Sequence, residues 1–395
     1  MTVGLPLEGY LVVTLEQAVS APLATRHLAD LGARVIKIER PGNGDFARQY
    51  DDYVKGMATY FVWLNRNKES VTLDTKDPRG RDALERLLAR ADVFVQNLAP
   101  GAAARQGLDA HALVERFPRL VAVDMSGFGA GGPASAKRAY DLVVQAETGA
   151  VSITGTPDAP AKPGVAVADI AAGMYAYSTA LAALLERARC GEGAAISVSM
   201  FDAMADWMSY SLYFTAYTGR DHVPYGVGHH AIVPYGAFPT ADGQSIVLGT
   251  QNDDEWARLA TQVLGRPEIA GDPNYLGLTN RSARREEIHG IVRDAMATLT
   301  FDEASAALDA AGIANGRLNT PRDLLHHPQL AERDRWREID SPVGPVQALL
   351  PVPVVEGWDY PMAAVPDLGE HSRAVLAELG FDAPTIDELA RDGVI

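Results

Sequence analysis

Short β-branched runs alternate with helix-compatible stretches through the first third of the chain, and this alternation limits its fold more than any other feature. Tyr10 to Leu15 (YLVVTL) reads as a strand, Ala21 to Leu31 as a helix and Arg34 to Ile38 (RVIKI) as a second strand. Val71 to Leu73, Val93 to Gln96 and Leu120 to Asp124 continue the strand series, with a helix over Arg79 to Ala89. A helix that crosses over between strands returns the chain to the same end of the sheet. The fold class expected is therefore α/β, with a doubly wound, Rossmann-like parallel sheet. Ligands of such sheets bind beyond the carboxyl ends of the strands, which singles out Glu16 to Ala21, Glu39 to Gly44 and Asn97 to Gly101. No G-x-G-x-x-G or G-x-x-x-x-G-K-[ST] follows any of these strands, which argues against a dinucleotide cofactor and a P-loop.

The character changes after Met200. Phe201 to Thr218 reads as an aromatic-rich helix, followed by an irregular Gly/His/Pro segment from Gly219 to Gly236. Phe238 to Leu248 fits a hairpin around Asp242-Gly243, with helices expected at 252–264, 281–299 and 302–311. That pattern describes a smaller α+β domain. The proline-rich stretch 340–365 reads as an extended return path, and 370–380 as a last helix.

Charge narrows the partners. The chain of 395 residues carries a formal net charge of −16, which repels nucleic acid and anionic membrane, so neither is expected as a partner. An anionic ligand would need cations gathered locally, and the N-terminal third offers Arg34, Lys37, Arg40, Arg48, Arg66, Lys68, Lys76, Arg105, Lys137 and Arg138. Cys190 is the single cysteine, so no intramolecular disulfide or thiolate cluster is possible, as expected of a cytoplasmic protein. The opening MTVGLPLEGYLVV lacks the basic region and cleavage site of a secretory leader. Val165 to Leu185 is nearly uncharged and long enough to span a bilayer. It contains Asp169 and is built mostly of small residues, so a buried helix is expected instead.

Asp169 lies where Gly164 to Ala168 meets a small-residue helix expected to start near Ile170. Aspartate is a strong N-cap, and backbone N–H groups at a helix start also favour an ionised carboxylate beside an anion-binding surface. Cap and nucleophile are compatible roles. The histidines His222, His229-His230 and His326-His327 lack any accompanying ligand pattern, so no metal site is expected. Tyr225 to Tyr235 (YGVGHHAIVPY) reads either as a substrate-contacting loop or as a hinge. Ser126-Gly127-Phe128-Gly129 lacks the G-x-S-x-G elbow of a serine hydrolase.

Several segments taken in order resemble the class III CoA-transferase family, which includes the α-methylacyl-CoA racemases. They are Leu28 to Glu39 with Pro41-Gly42 and Gly44-Asp45, Asn65 to Lys68, Gln96 to Gly101, Ala139-Tyr140-Asp141, Val167 to Ile170 and Leu368 to Ser372. The resemblance implies a large Rossmann-like domain from both chain ends, taken as 1–200 with 330–395, and a linker and small domain over 201–329. It also implies two subunits interlinked like rings, a homodimer, and coenzyme A or acyl-CoA as substrate with no permanently bound cofactor. Asp169 would be the nucleophile that becomes acylated. The CoA contacts implied are Val19, Arg40, Leu73, Asn97, Leu98, Arg105 and Lys137 or Arg138, with Gln17, Tyr140, His229 and His230 toward the substrate.

One departure from the family is visible: Gly249-Thr250-Gln251-Asn252 stands where oxalate-type members carry a glycine-rich loop. Tyr140 stands where the racemase branch carries a histidine base, which favours transfer over racemisation. A non-catalytic CoA-binding protein is the remaining alternative. Leu15 to Pro22 and His229 to Gly236 resemble the branch acting on C4 and C5 dicarboxylates such as mesaconate, itaconate, citramalate, malate and succinate.

Overall fold

The computed structural model describes residues 4–395, leaving the first three residues of the opening segment outside it. The chain divides into two compact units, one of residues 4–149, 163–212 and 332–395, the other of residues 150–162 and 213–331.

The larger unit is organised by a six-stranded sheet. Its spatial order is Lys68–Thr72, Arg34–Glu39, Leu11–Leu15, Val93–Gln96, Val121–Ser126 and Ala194–Ser199, every neighbour parallel. The chain builds outward from Leu11–Leu15 in one direction and then restarts on its other side at Val93–Gln96. This reversal leaves a crevice beyond the carboxyl ends of the two central strands, where Leu15 stands opposite Gln96.

Helices cover both faces, so the inner strands are buried nearly throughout rather than alternating. Val93 to Gln96 are all buried, and in Arg34–Glu39 only the first residue is exposed. One core cluster joins Val13, Ile36, Val71 and Phe94 to Leu84, Leu113, Leu376 and Leu389. The C-terminal helices Ser372–Glu378 and Ala383–Arg391 thus complete the packing of the N-terminal strands. Residues from both chain ends build a single core.

The Ser20–Asp30 and Val167–Cys190 helices pack closely against each other. A Cβ on Gly173 would lie 2.7 Å from the Ser20 carbonyl oxygen and 3.1 Å from Leu23 Cδ2, so only glycine permits this approach. The buried face of the longer helix is Ala168, Ala171, Ala172, Gly173, Ala176, Ala180 and Ala183. Its 24 residues are long and apolar enough to cross a membrane by length and composition, yet its small residues serve as a contact surface for the neighbouring helix.

The smaller unit has a three-stranded antiparallel sheet of Asn315–Arg317, Ser245–Gly249 and Tyr235–Pro239, with the expected turn at Asp242-Gly243. Helices at Asp253–Arg258, Arg285–Met296 and Phe301–Ala310 pack around Trp256, Ile288 and Leu308. Fully buried Arg281 donates to the Val233 carbonyl at 3.0 Å and the Tyr275 carbonyl at 2.9 Å.

Two expectations need correction, and two elements lie outside them. The aromatic-rich helix breaks at Met208 into Met200–Trp207 and Ser209–Thr218. The region 340–365 is not a single extended path, because the chain reverses within it and Val346–Leu349 pairs with Trp336–Ile339 as a hairpin. The strand Ala194–Ser199 and the helix Ala383–Arg391 were not anticipated from the sequence.

Candidate active site

At the crevice, the chain leaves Leu11–Leu15 through Glu16, Gln17 and Ala18 and enters the Ser20–Asp30 helix with Val19 at its N-cap. Ala18 adopts φ 64°, a left-handed conformation that costs an alanine roughly 1 kcal/mol. Asp45 holds it there. The Asp45 Oδ1 accepts the Ala18 N–H at 3.1 Å and the Ala47 N–H at 2.9 Å, while its Oδ2 accepts Lys37 Nζ at 2.7 Å. Beneath the turn, Glu16 takes Lys68 Nζ at 2.6 Å and the hydroxyls of Thr25 and Thr14 at 2.5 and 3.0 Å. Glu16, Lys37 and Lys68 side chains are fully buried, so each charge needs its partners. The opposing cations hold Glu16 below the usual carboxylate range against the cost of its burial.

Asp169 is the third residue of the Val167–Cys190 helix and not its cap, which corrects the expected start near Ile170. The cap comes from elsewhere: Asp141 Oδ1 accepts the Ala168 N–H at 2.9 Å. The Asp169 carboxylate instead faces the hydroxyl and the backbone N–H of Ser20, at the amino end of the neighbouring helix, and both favour its charged form. The dipole of that helix favours negative charge at this point. Burial and the nearby Asp141 work the other way and push the Asp169 carboxyl up to about 7. Tyr50, raised well above the usual phenol range chiefly by burial, feels the charges of Asp45 and Asp169 and also lies near Tyr140.

The expected contacts fall at one edge of the sheet. Gln17, Val19, Arg40, Leu73, Asn97 and Leu98 each follow the carboxyl end of one of four adjacent strands, Lys68–Thr72, Arg34–Glu39, Leu11–Leu15 and Val93–Gln96. Val19 and Leu73 bury their side chains, so only their backbone can meet a ligand. Asn97 is bound to the backbone of Gln17, and Arg40 Nη2 donates to Gln17 Oε1 at 3.3 Å. Arg105 ends the short Ala102–Arg105 helix that follows. Lys137 pairs with Glu147 at 3.0 Å, Arg138 is exposed, and exposed Tyr140 precedes the Asp141–Glu147 helix as its N-cap.

The pool of free cations is smaller than the sequence suggests. Lys37, Arg48, Arg66 and Lys68 are spent on Asp45, Glu39, Asp30 and Glu16, and Arg34 on Glu69 and Glu378. Sequence reasoning gave no role to Ser20 or Asp141, although Ser20 lies within the strand-end stretch Glu16 to Ala21 and Asp141 within a segment that carried the family resemblance.

In the smaller unit, His229 and His230 have ring centroids 4.4 Å apart, and His230 stands edge-on to His222 at 4.8 Å. His229 Nδ1 accepts the N–H groups of Ala231 and Ile232, both at 3.1 Å, which leaves Nε2 to carry the proton of the neutral ring. Burial, then neighbouring positive charge, pushes His229 and His230 below the usual imidazole range. Arg285 donates to the His230 carbonyl at 2.8 Å and lies 4.7 Å above the Tyr225 ring. No group of residues able to hold a metal ion occurs among the described residues. Gly249 to Asn252 is a helix-capping turn, with Asn252 accepting the Glu255 N–H at 2.8 Å.

The model of CoA-transferase family III matches residues 7–372. The chain belongs to this family. It is 34% identical to the succinyl-CoA:glutarate CoA-transferase of Mus musculus, over 99% of this chain and 90% of that one. It is also 30% identical to the succinyl-CoA:D-citramalate CoA-transferase of Chloroflexus aurantiacus, over 95% of this chain and 94% of that one. A crystal structure of a CAIB/BAIF family protein from Brucella suis superposes with a TM-score of 0.82 at 32% identity, covering 95% of this chain and all of that one. The chain is accordingly a CoA-transferase, an enzyme whose substrates are CoA thioesters and acids.

Proposed function

We propose that this enzyme transfers CoA from an acyl-CoA, with succinyl-CoA the foremost donor, to a C4 or C5 dicarboxylic acid through a covalent intermediate on Asp169. The observation that carries the reading is the setting of Asp169: a half-buried carboxylate that faces Ser20 at the amino end of the helix following the crevice turn. An Asp169 oxygen attacks the thioester carbonyl, the C–S bond breaks and CoA leaves as thiolate, giving a mixed anhydride. The thiolate then attacks the aspartyl carbonyl carbon and expels the donor acid, leaving Asp169 as a CoA thioester. The acceptor acid runs the same steps in reverse. A carboxylate is a weak nucleophile, so acceleration comes from positioning and from binding energy of the CoA moiety.

CoA is held in this reading at the strand-end edge by Arg40, Arg105, Lys137 and Arg138, and by the backbone of Val19, Leu73, Asn97 and Leu98. Acyl-CoA affinity should then fall with added salt and by about tenfold or more per arginine lost. The phenol of Tyr140 and the amide of Gln17 contact the reacting end of the acid; taken by itself, the His229-His230 loop, with an Nε2–H donor on His229, is a second surface able to bind a carboxylate. Exposed Leu185, Trp207 and Leu212 are surface that a second copy would cover in an interlinked homodimer working in the cytoplasm. A donor-by-acceptor screen read by product mass tests the assignment. Dicarboxylates should outperform acetate and propionate, and equal turnover of the monocarboxylates would contradict it.

A further inference from the structure

We propose that Asp141 is a positioning residue whose charge drives Asp169 from free carboxylate toward its acylated form. The inference rests on Asp169 being the nucleophile and adds a thermodynamic role for a second carboxylate.

Asp141 is the first residue of the Asp141–Glu147 helix and grips the start of the helix that bears Asp169. Its Oδ1 accepts the N–H of Ala168 at 2.9 Å and lies 3.5 Å from the Asp169 nitrogen, while its Oδ2 accepts Gln145 Nε2 at 2.6 Å. All of these partners are neutral, so nothing in this set cancels the charge of Asp141. The other groups that act with Asp169 are Ser20 from the Ser20–Asp30 helix and Tyr50 from the turn after Phe46–Gln49, with Tyr140, beside Asp141, near Tyr50. None of them is cationic. The two carboxylates therefore lie together with no cation among these groups, and burial together with Asp141 opposes ionisation of Asp169.

The reaction relieves this repulsion. Acyl-CoA and the Asp169 carboxylate become the free donor acid and the aspartyl-CoA thioester, so the negative charge leaves the side chain with the released acid. A charge that disfavours the Asp169 carboxylate favours thioester formation by the same free energy. Proton affinity and thioester content must therefore move together.

Asp141→Asn separates charge from grip. Asparagine keeps an Oδ1 to accept the Ala168 N–H and presents an NH₂ toward Gln145. The buried Gln145 Oε1 has no partner in the structure, so a turn of that amide supplies an acceptor.

The test compares parent, Asp141→Asn and Asp141→Ala in the full-length enzyme. The first readout is the acid limb of kcat/KM between pH 5 and 9; the second is the ratio of aspartyl-CoA adduct to free enzyme by intact mass, at a fixed ratio of succinyl-CoA to succinate. Asp141→Asn should lower the acid limb by about one pH unit and the adduct ratio by about tenfold, since one pKa unit is a factor of ten. Asp141→Ala should show both changes and lose thermal stability as well. If the parent forms the adduct and the Asn variant changes neither readout, or only one, this inference is overturned while the nucleophile stands. If the parent forms no adduct on Asp169, the reading beneath is overturned and this inference with it.

Discussion

The side-chain amide of Asn97 grips the backbone of Gln17, accepting its N–H at 2.8 Å and donating to its carbonyl at 2.8 Å. Each residue follows one of the two central strands, so the pair ties the two sides of the crevice together. Asn97→Ala removes both bonds, at a cost of about 1 to 3 kcal/mol in stability. The KM for acyl-CoA should rise while the fold persists, checked by steady-state kinetics beside urea unfolding.

Beneath that turn, Lys37 neutralises Asp45 and approaches Glu16 at 3.4 Å, with all three side chains fully buried. Lys37→Met fills similar volume but leaves two buried carboxylates short of a cation. Breaking a buried pair in this way costs about 3 to 5 kcal/mol. Chemical denaturation should show that loss, and a variant within about 1 kcal/mol of the parent would contradict the role given to the pair.

The Asp169 carboxyl near 7 lies above its unfolded value of about 4. Between these values the folded chain binds more protons than the unfolded one, so this group's contribution is full below about pH 4 and is lost as pH rises through 7. Asparagine cannot ionise. Asp169→Asn should therefore gain stability relative to the parent on going from pH 4.5 to pH 8, by on the order of 2 kcal/mol. Urea unfolding of both proteins at the two pH values measures the difference.

How much of this was legible in the sequence depended on burial. Leu11–Leu15 and Arg34–Glu39 stand out because strands covered on both faces are continuous β-branched runs. Ala194–Ser199 (AAISVS), at the sheet edge, carries a weak signal of alanine and serine. Lys37 stood among the cations available to an anionic ligand, yet lies in a strand whose residues after the first are all buried. The last helix was announced by Asp382, which caps it, and by Pro384 in its first turn, and both signals were overlooked. Asp169 could be singled out from its own segment, but Ser20 and Asp141 reach it through tertiary packing that no local pattern encodes.

The most direct test of the central claim is mass analysis of the Asp169 peptide after incubation with donor acyl-CoA and hydroxylamine. An aspartyl thioester or anhydride reacts to a hydroxamate, whereas a carboxylate that only accepts hydrogen bonds does not. The parent should yield the hydroxamate at Asp169. Asp169→Asn, which keeps an acceptor oxygen toward Ser20, should yield none and lose transfer by several orders of magnitude while remaining folded. An Asn variant that transfers CoA at near-parental rate, with its peptide shown free of deamidation to aspartate, would contradict the account.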